Sequence, residues 1–388
     1  MPDNKRHHYV PRFLLKRFSP DEEYIHMYNI KREKVIVGAR LYEQCAKNYL
    51  YGESPQYEKL LAGAEGEIAG LFRLIDQYES PPPYMTPMHD AFLMHILIQR
   101  SRTTYAVAAL NESLDKMMKA IYREHIREEM GIDLDEFKIE KTDPAVYAIG
   151  LATQTYPLMY DLGMKLLINE TDEVFVTSDN PIVIYNQLMN FNTFGSNCGY
   201  ACKGLQIFVP LDSRKTMILY DRDVYRVANE SKPAVRITNV QDVYELNTLQ
   251  FVSAQDNIYY EDSGFNAKAL HRKAGPFLRA HRSDVGAYPQ PDELNKKNVQ
   301  IVRTSQVDIR TRLSLSFVSV RASAKSWRDK TREMKERPVT FIRSQKLVDA
   351  FEMFRELVKM GGYNATQFRD FWNDRAQKKN DTGNDFGK

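Results

Sequence analysis

The sequence predicts an α+β fold: a helical N-terminal part packed against a mostly antiparallel sheet, with a basic C-terminal extension. Two observations carry the prediction. Between residues 57 and 130 the apolar residues recur at helical spacing. From about Pro144 β-branched and aromatic residues rise and Asp, Asn, Pro, Gly and Ser punctuate short runs, as in sheets built from hairpins. A third, the 19 Lys/Arg against roughly 11 Asp/Glu from Val299 onward, marks the basic end.

In chain order, His7-His8-Tyr9-Val10-Pro11 leads directly into an amphipathic helix over residues 12–18. Residues 24–28 and 34–37 read as a hairpin around Lys31-Arg32-Glu33. A helix follows over 57–78, stopped by Pro81-Pro82-Pro83, which deny it amide donors. The helix over 89–104 is apolar on nearly every side and is therefore expected to be buried. Within it His95, Gln99 and Arg102 stand at i, i+4 and i+7, one polar stripe on a buried rod. A guanidinium there needs a carboxylate, a phosphate or a cavity. A further helix over 106–130 ends at Gly131, and 145–167 reads as another. Strands are expected over 174–177, 182–185, 205–209, 216–220 and 234–237, then a helix over 242–256 and a strand over 257–260. Residues 299–320 have the makings of two strands, and 344–360 of an amphipathic helix.

Composition bounds the function. A 388-residue chain with 43% hydrophobic and 27% charged residues is long enough for one large or two ordinary domains. Its net charge of +3 implies neither a nucleic-acid nor a membrane partner. No run reaches the roughly 18 apolar residues of a membrane span, and the basic start lacks a signal-peptide apolar core, so a cytoplasmic, membrane-free protein is expected. Cys45, Cys198 and Cys202 are too few for a disulfide framework, and Cys198-x-x-x-Cys202 lacks the second pair of a zinc site.

The candidate chemistry lies in two blocks. Imidazole is a general base near neutral pH and a metal ligand, so His7 and His8 are candidates, although adjacent residues of an extended segment face opposite sides. Thr177-Ser178-Asp179-Asn180-Pro181 sits between two strands, where rigid scaffolds hold reactive groups, although Asp and Asn before Pro are also ordinary turn residues. His-His-x-x-Pro is similar to the start of a His-Asn-His nuclease core, but the hairpin that should precede it and the helical Asn and His that should follow are missing. No phosphate-cradling glycine loop, dinucleotide fingerprint or Gly-x-Ser-x-Gly elbow is present.

On the residues 7–18, Gln99-x-x-Arg102-Thr103 and the 175–181 stretch, with Glu65, Val209-Pro210-Leu211 and Asn247 as weaker parts, the chain resembles the bacterial family called domain of unknown function 4238 (DUF4238). The resemblance runs to about Tyr260 and implies that the polar positions form one family pattern, but it implies no activity. Residues 1–285 then read as the family core, with 1–143 mainly helical around a short hairpin and 144–285 a helix plus sheet. A linker over 286–298, a basic extension over 299–376 and a disordered tail over 377–388 complete the division.

Two functions are expected to compete. In the first, a nuclease-like or nucleotide-hydrolysing phosphodiesterase, His7, His8, Arg102 and Asp179 are catalytic, and Gln99, Ser178 and Asn180 bind a phosphate-containing substrate or nucleic acid. His8, Glu65 and Asp179 are then the candidate ligands of a divalent metal, and host-virus conflict is a natural setting. In the second, the same residues form a buried polar network, Arg102 pairing with Asp179, in a non-catalytic module that binds a ligand or partner.

Overall fold

The structure is a computed structural model that describes residues 5–191, 197–292, 297–332 and 340–383. Strand β1 (Arg6–His8) pairs antiparallel with β4 (Ala46–Asn48), so the His pair is fixed to a return strand. Between them lie the five-residue helix α1 (Arg12–Lys16), which buries Leu14 and Leu15, and the hairpin β2 (Tyr24–Asn29) and β3 (Lys34–Arg40). Glu33 takes a left-handed φ of 50° at the hairpin turn.

Three long helices follow: α2 (Pro55–Tyr78), α3 (Pro87–Ser101) and α4 (Thr104–Met130). Each begins at a side-chain cap, Ser54, Thr86 and Thr103 accepting from the first-turn amides Gln56, His89 and Ala106. Gly131, with φ of 67°, closes α4. Helix α5 (Pro144–Thr153) stops well short of the expected 145–167. Pro157 allows only a short 3₁₀ turn at Tyr156–Met159, and the apolar run beyond it becomes β5 (Gly163–Asn169).

The sheet region continues with β6 (Thr177–Ser178), β7 (Val183–Tyr185), β8 (Gln206–Pro210), β9 (Lys215–Tyr220), β10 (Tyr225–Val227) and β11 (Ala234–Ile237). Then come α6 (Val240–Ser253), β12 (Asn257–Tyr260), α7 (Ala267–Ala274), β13 (Ser283–Asp292), β14 (Lys297–Gln306), β15 (Val318–Val320), α8 (Ala322–Arg332), α9 (Gln345–Lys359) and α10 (Phe368–Gly383). A five-stranded sheet runs β11-β5-β9-β8-β7, antiparallel except where β11 lies parallel to β5. A four-stranded sheet, β3-β2-β12-β6, is antiparallel throughout. The fold is thus α+β, with both sheets mostly antiparallel.

The C-terminal third differs from expectation. Residues 286–298 are not a linker: the described ones form the outer part of a hairpin, β13 paired with β14 from Ser283↔Gln306 to Asp292↔Lys297. Prolines 289 and 291 are tolerated because a two-stranded ribbon leaves one edge of each strand without ladder bonds. The tail expected to be disordered from Gln377 is helical through Gly383 in α10, while 384–388 lie outside the described residues. Nor do residues 299–376 stand apart, although 333–339 are not described. Ile309, Leu313, Leu315, Leu347, Phe354 and Phe368 belong to the same buried cluster as Leu14, Phe92 and Ile218. The Tyr185 hydroxyl donates to the Thr311 carbonyl (2.6 Å), and Arg343 donates to both Asp161 carboxylate oxygens (2.9 and 2.6 Å).

A shared core has a measurable consequence. Both tryptophans, Trp327 and Trp372, lie in the C-terminal third, so their fluorescence reports that part while far-ultraviolet circular dichroism reports the whole chain. Denaturant unfolding is expected to give coincident transitions by the two probes. Separated midpoints would show that the C-terminal third unfolds as its own unit.

Candidate functional site

Alternation along β1 turns His7 inward and His8 outward. His7 is 2% exposed, stacks on Tyr51 with ring centroids 5.3 Å apart, and accepts a hydrogen bond at Nδ1 from the Tyr51 amide (3.2 Å). His8 keeps part of its surface open and holds Nε2 3.0 Å from the Tyr42 carbonyl, to which it donates. Arg6 and Arg12 lie over the Tyr42 ring at 5.3 and 5.4 Å. Burial lowers the His8 pKa from its ordinary value; the two guanidiniums lower it further, against the Tyr42 bond.

The stripe on α3 reaches this segment. Gln99 Nε2 donates to the Tyr9 carbonyl (2.9 Å), and Arg102 Nε donates to Gln99 Oε1 (3.1 Å). Arg102, 2% exposed, also donates from Nη1 to Glu65 Oε1 (2.7 Å) on α2, whose side chain is 31% exposed. Tyr51 donates to the His8 carbonyl (3.1 Å). Glu58 stands seven residues before Glu65, on the same face of α2. Burial raises its pKa; His7 and Arg102 act against that rise and Glu65 with it. His95, the first residue of the stripe, is pushed down to about 3 by burial, with Arg102 adding, and is therefore neutral. Its Nε2 has no hydrogen-bond partner among the described residues.

The second block is tied elsewhere. Asp179, 1% exposed, accepts at Oδ1 from the Gln255 amide (2.8 Å) and at Oδ2 from those of Asp256 (2.8 Å) and Asn257 (3.0 Å), closing the turn between α6 and β12. Burial pushes its pKa up to about 6 against the pull of those three amides. Asn180 accepts from the Thr103 hydroxyl (3.2 Å) and donates to the Ser253 carbonyl (2.9 Å), joining the α3–α4 corner to the end of α6. Ser178 Oγ accepts from the Asn180 amide (3.1 Å) and lies 2.7 Å from the Gln250 side-chain amide.

His7, His8, Glu65, Gln99 and Arg102 thus come together, and Ser178, Asp179 and Asn180 form a separate knot. Tyr9 spans the two: its carbonyl holds Gln99, and its buried hydroxyl sits beside Thr104 and Cys45 and within electrostatic reach of Asp179. The expected Arg102–Asp179 pair is not formed, because α2 delivers Glu65 to the guanidinium and three amides already occupy the Asp179 carboxylate. The proposed metal set of His8, Glu65 and Asp179 is not gathered either. Among the described residues no group of three His, Cys, Asp or Glu side chains is arranged to hold a metal. Sequence reasoning missed Tyr51 and Glu58. Only the seven-residue spacing of Glu58 and Glu65 signalled the latter.

The family described as "Protein of unknown function (DUF4238)" matches residues 6–264. The chain belongs to this family. The DUF4238 match takes in β1, the α3 stripe and the Ser-Asp-Asn loop, and it ends at residue 264, so α7, the hairpin and the elements after it lie outside the matched region. No curated protein and no solved structure matches the chain. Among the described residues no helix is long and apolar enough to cross a membrane.

Proposed function

We propose that the chain is a non-catalytic ligand-binding module in which the family's polar residues are architectural, holding the His segment against the helices. The observation behind this reading is the commitment of its two buried charges. Arg102 is bonded to Glu65 and Gln99, and Asp179 is bonded to three backbone amides. A group poised for chemistry keeps a face toward its substrate, whereas these are enclosed by their own protein partners.

A second reading, the phosphodiester hydrolase, draws on a different observation. Glu58 and Glu65 are both partly exposed near the His pair, and the raised pKa of Glu58 suits a general acid. The two readings separate in one experiment. The full chain, His8→Ala and Glu58→Gln are incubated with DNA, RNA and nucleotides, with and without magnesium or manganese, and their melting curves are recorded. The binding module is expected to show no turnover in any sample. His8→Ala should melt within about 1 kcal/mol of wild type, since His8 is part-exposed and bonds one carbonyl. Turnover by wild type that disappears in both folded variants would sink the binding-module reading.

A further inference from the structure

On the other side of α3, helices α3, α4 and α5 open onto a cavity of 440 Å³ whose far wall is Ser283 and residues 304–309. Arg100, in the last turn of α3, and Arg279, just beyond α7, both line it. Arg279 donates to the carbonyls of Val307 (3.2 Å), Val252 (3.3 Å) and Ser253 (3.5 Å), and its guanidinium lies 4.6 Å over the Tyr105 ring. Arg100 donates to Gln306 Oε1 (2.5 Å). Among the described residues neither arginine has a carboxylate within 4.0 Å. Asp308, the carboxylate of the wall, instead accepts from the backbone and side-chain amides of Asn197 (3.0 Å each).

Two guanidiniums facing one cavity repel each other, and neither is bonded to a carboxylate that would offset the repulsion. Burial, with Arg100 adding, lowers the Arg279 pKa from its ordinary value, against the pull of Tyr105 and of the Asp308 carboxylate across the cavity. Two further wall residues, Tyr105 and Ser283, are 7% and 1% exposed and carry buried hydroxyls with no hydrogen-bond partner among the described residues. Unmet donors beside two guanidiniums that have no carboxylate bonded to them are the polar half of an anion site. The rest of the wall is apolar, including Ala109, Leu110 and Leu151, and a volume of a few hundred Å³ suits a small organic molecule.

We propose that this cavity binds a small organic anion, its phosphate or carboxylate head group held by Arg279 and Arg100 and its apolar body lying along Ala109, Leu110 and Leu151. The proposal supplies a ligand class for the binding-module reading and rests on it. Asn180, within the family match, lines one side of the cavity, while Arg279, Ser283 and residues 304–309 lie outside it.

The test is calorimetric titration of the full chain with adenosine monophosphate, octanoate and inorganic phosphate, repeated on Arg279→Met and Arg100→Gln. At least one organic anion is expected to bind with a dissociation constant below about 1 mM, and inorganic phosphate about tenfold more weakly for lack of a body. Preference for the nucleotide assigns a phosphate head group, and preference for octanoate a carboxylate. Arg279→Met is expected to weaken binding about tenfold or more, and Arg100→Gln severalfold. Arg100→Gln, at a half-exposed position, carries the test where Arg279→Met fails to fold. Absence of binding by both organic anions at millimolar concentration, or wild-type affinity in the folded variants, would overturn the proposal. Hydrolysis of the nucleotide during titration would sink the binding-module reading instead, and the dependence of affinity on Arg279 would still judge the cavity.

Discussion

Arg102→Met is expected to lower the unfolding free energy by about 3 kcal/mol, a drop in melting temperature of roughly 4 °C for a chain of this length. The guanidinium is enclosed and bonds two side chains, Gln99 and Glu65, from two helices. Removing it strands the Gln99 oxygen and leaves Glu65 without its counter-charge. Glu65 is 31% exposed, so water relieves part of the penalty and the loss falls at the lower end of the range for broken buried pairs. The loss should also spread to β1: Gln99 holds the Tyr9 carbonyl and is itself oriented by Arg102, so amide exchange through residues 7–9 is expected to accelerate. Arg102→Met combined with Glu65→Leu should recover at least about 1 kcal/mol, since removing both charges leaves no unpaired ion. Denaturant titration of the four proteins of this cycle decides the matter. A single-variant cost below about 1 kcal/mol, or no recovery in the double variant, would show that the pair does not organise the segment.

What the sequence made legible here follows from how local each determinant is. Helices α2, α3 and α4 were visible because periodicity and end signals agree: Ser54-Pro55, Thr86-Pro87 and Thr103 open them, and Gly131 closes the last. Strand β5 was not, because Gly163–Asn169 is buried on both faces and so shows none of the alternation that marks a strand. The β13–β14 ribbon was hidden by its prolines, which read as a linker unless the strand is known to have a free edge. At the site, the Gln99–Arg102 contact was readable from spacing alone, being one helical turn. The partner of Arg102 was not, because the choice between Glu65 and Asp179 depends on how α2 crosses α3, which no local pattern encodes. Arg279 gave no signal at all. Its significance comes from the cavity, and the cavity's walls are drawn from seven separate stretches of chain.

Asp179→Ala is expected to cost about 3 kcal/mol or more, because it orphans the amides of Gln255, Asp256 and Asn257 in a buried turn. Asp179→Asn should cost less, about 1–2 kcal/mol, since one side-chain oxygen still accepts while the new amide faces a donor. The pH dependence gives the sharper test. The carboxyl is raised from 3.8 to about 6 on folding, so the native state holds a proton that the unfolded state releases. Its contribution to stability is therefore fully present below the unfolded value and is lost as pH rises through about 6. The stability advantage of wild type over Asp179→Asn should accordingly shrink between pH 4 and about 6 and level off above, when unfolding free energies are measured across that window. The physical contest is between burial, which favours the acid, and three amide donors, which favour the carboxylate. An advantage that grows with pH would mean the amides prevail. Asp179 would then be a permanently ionised cap whose charge the α6–β12 turn was built to hold.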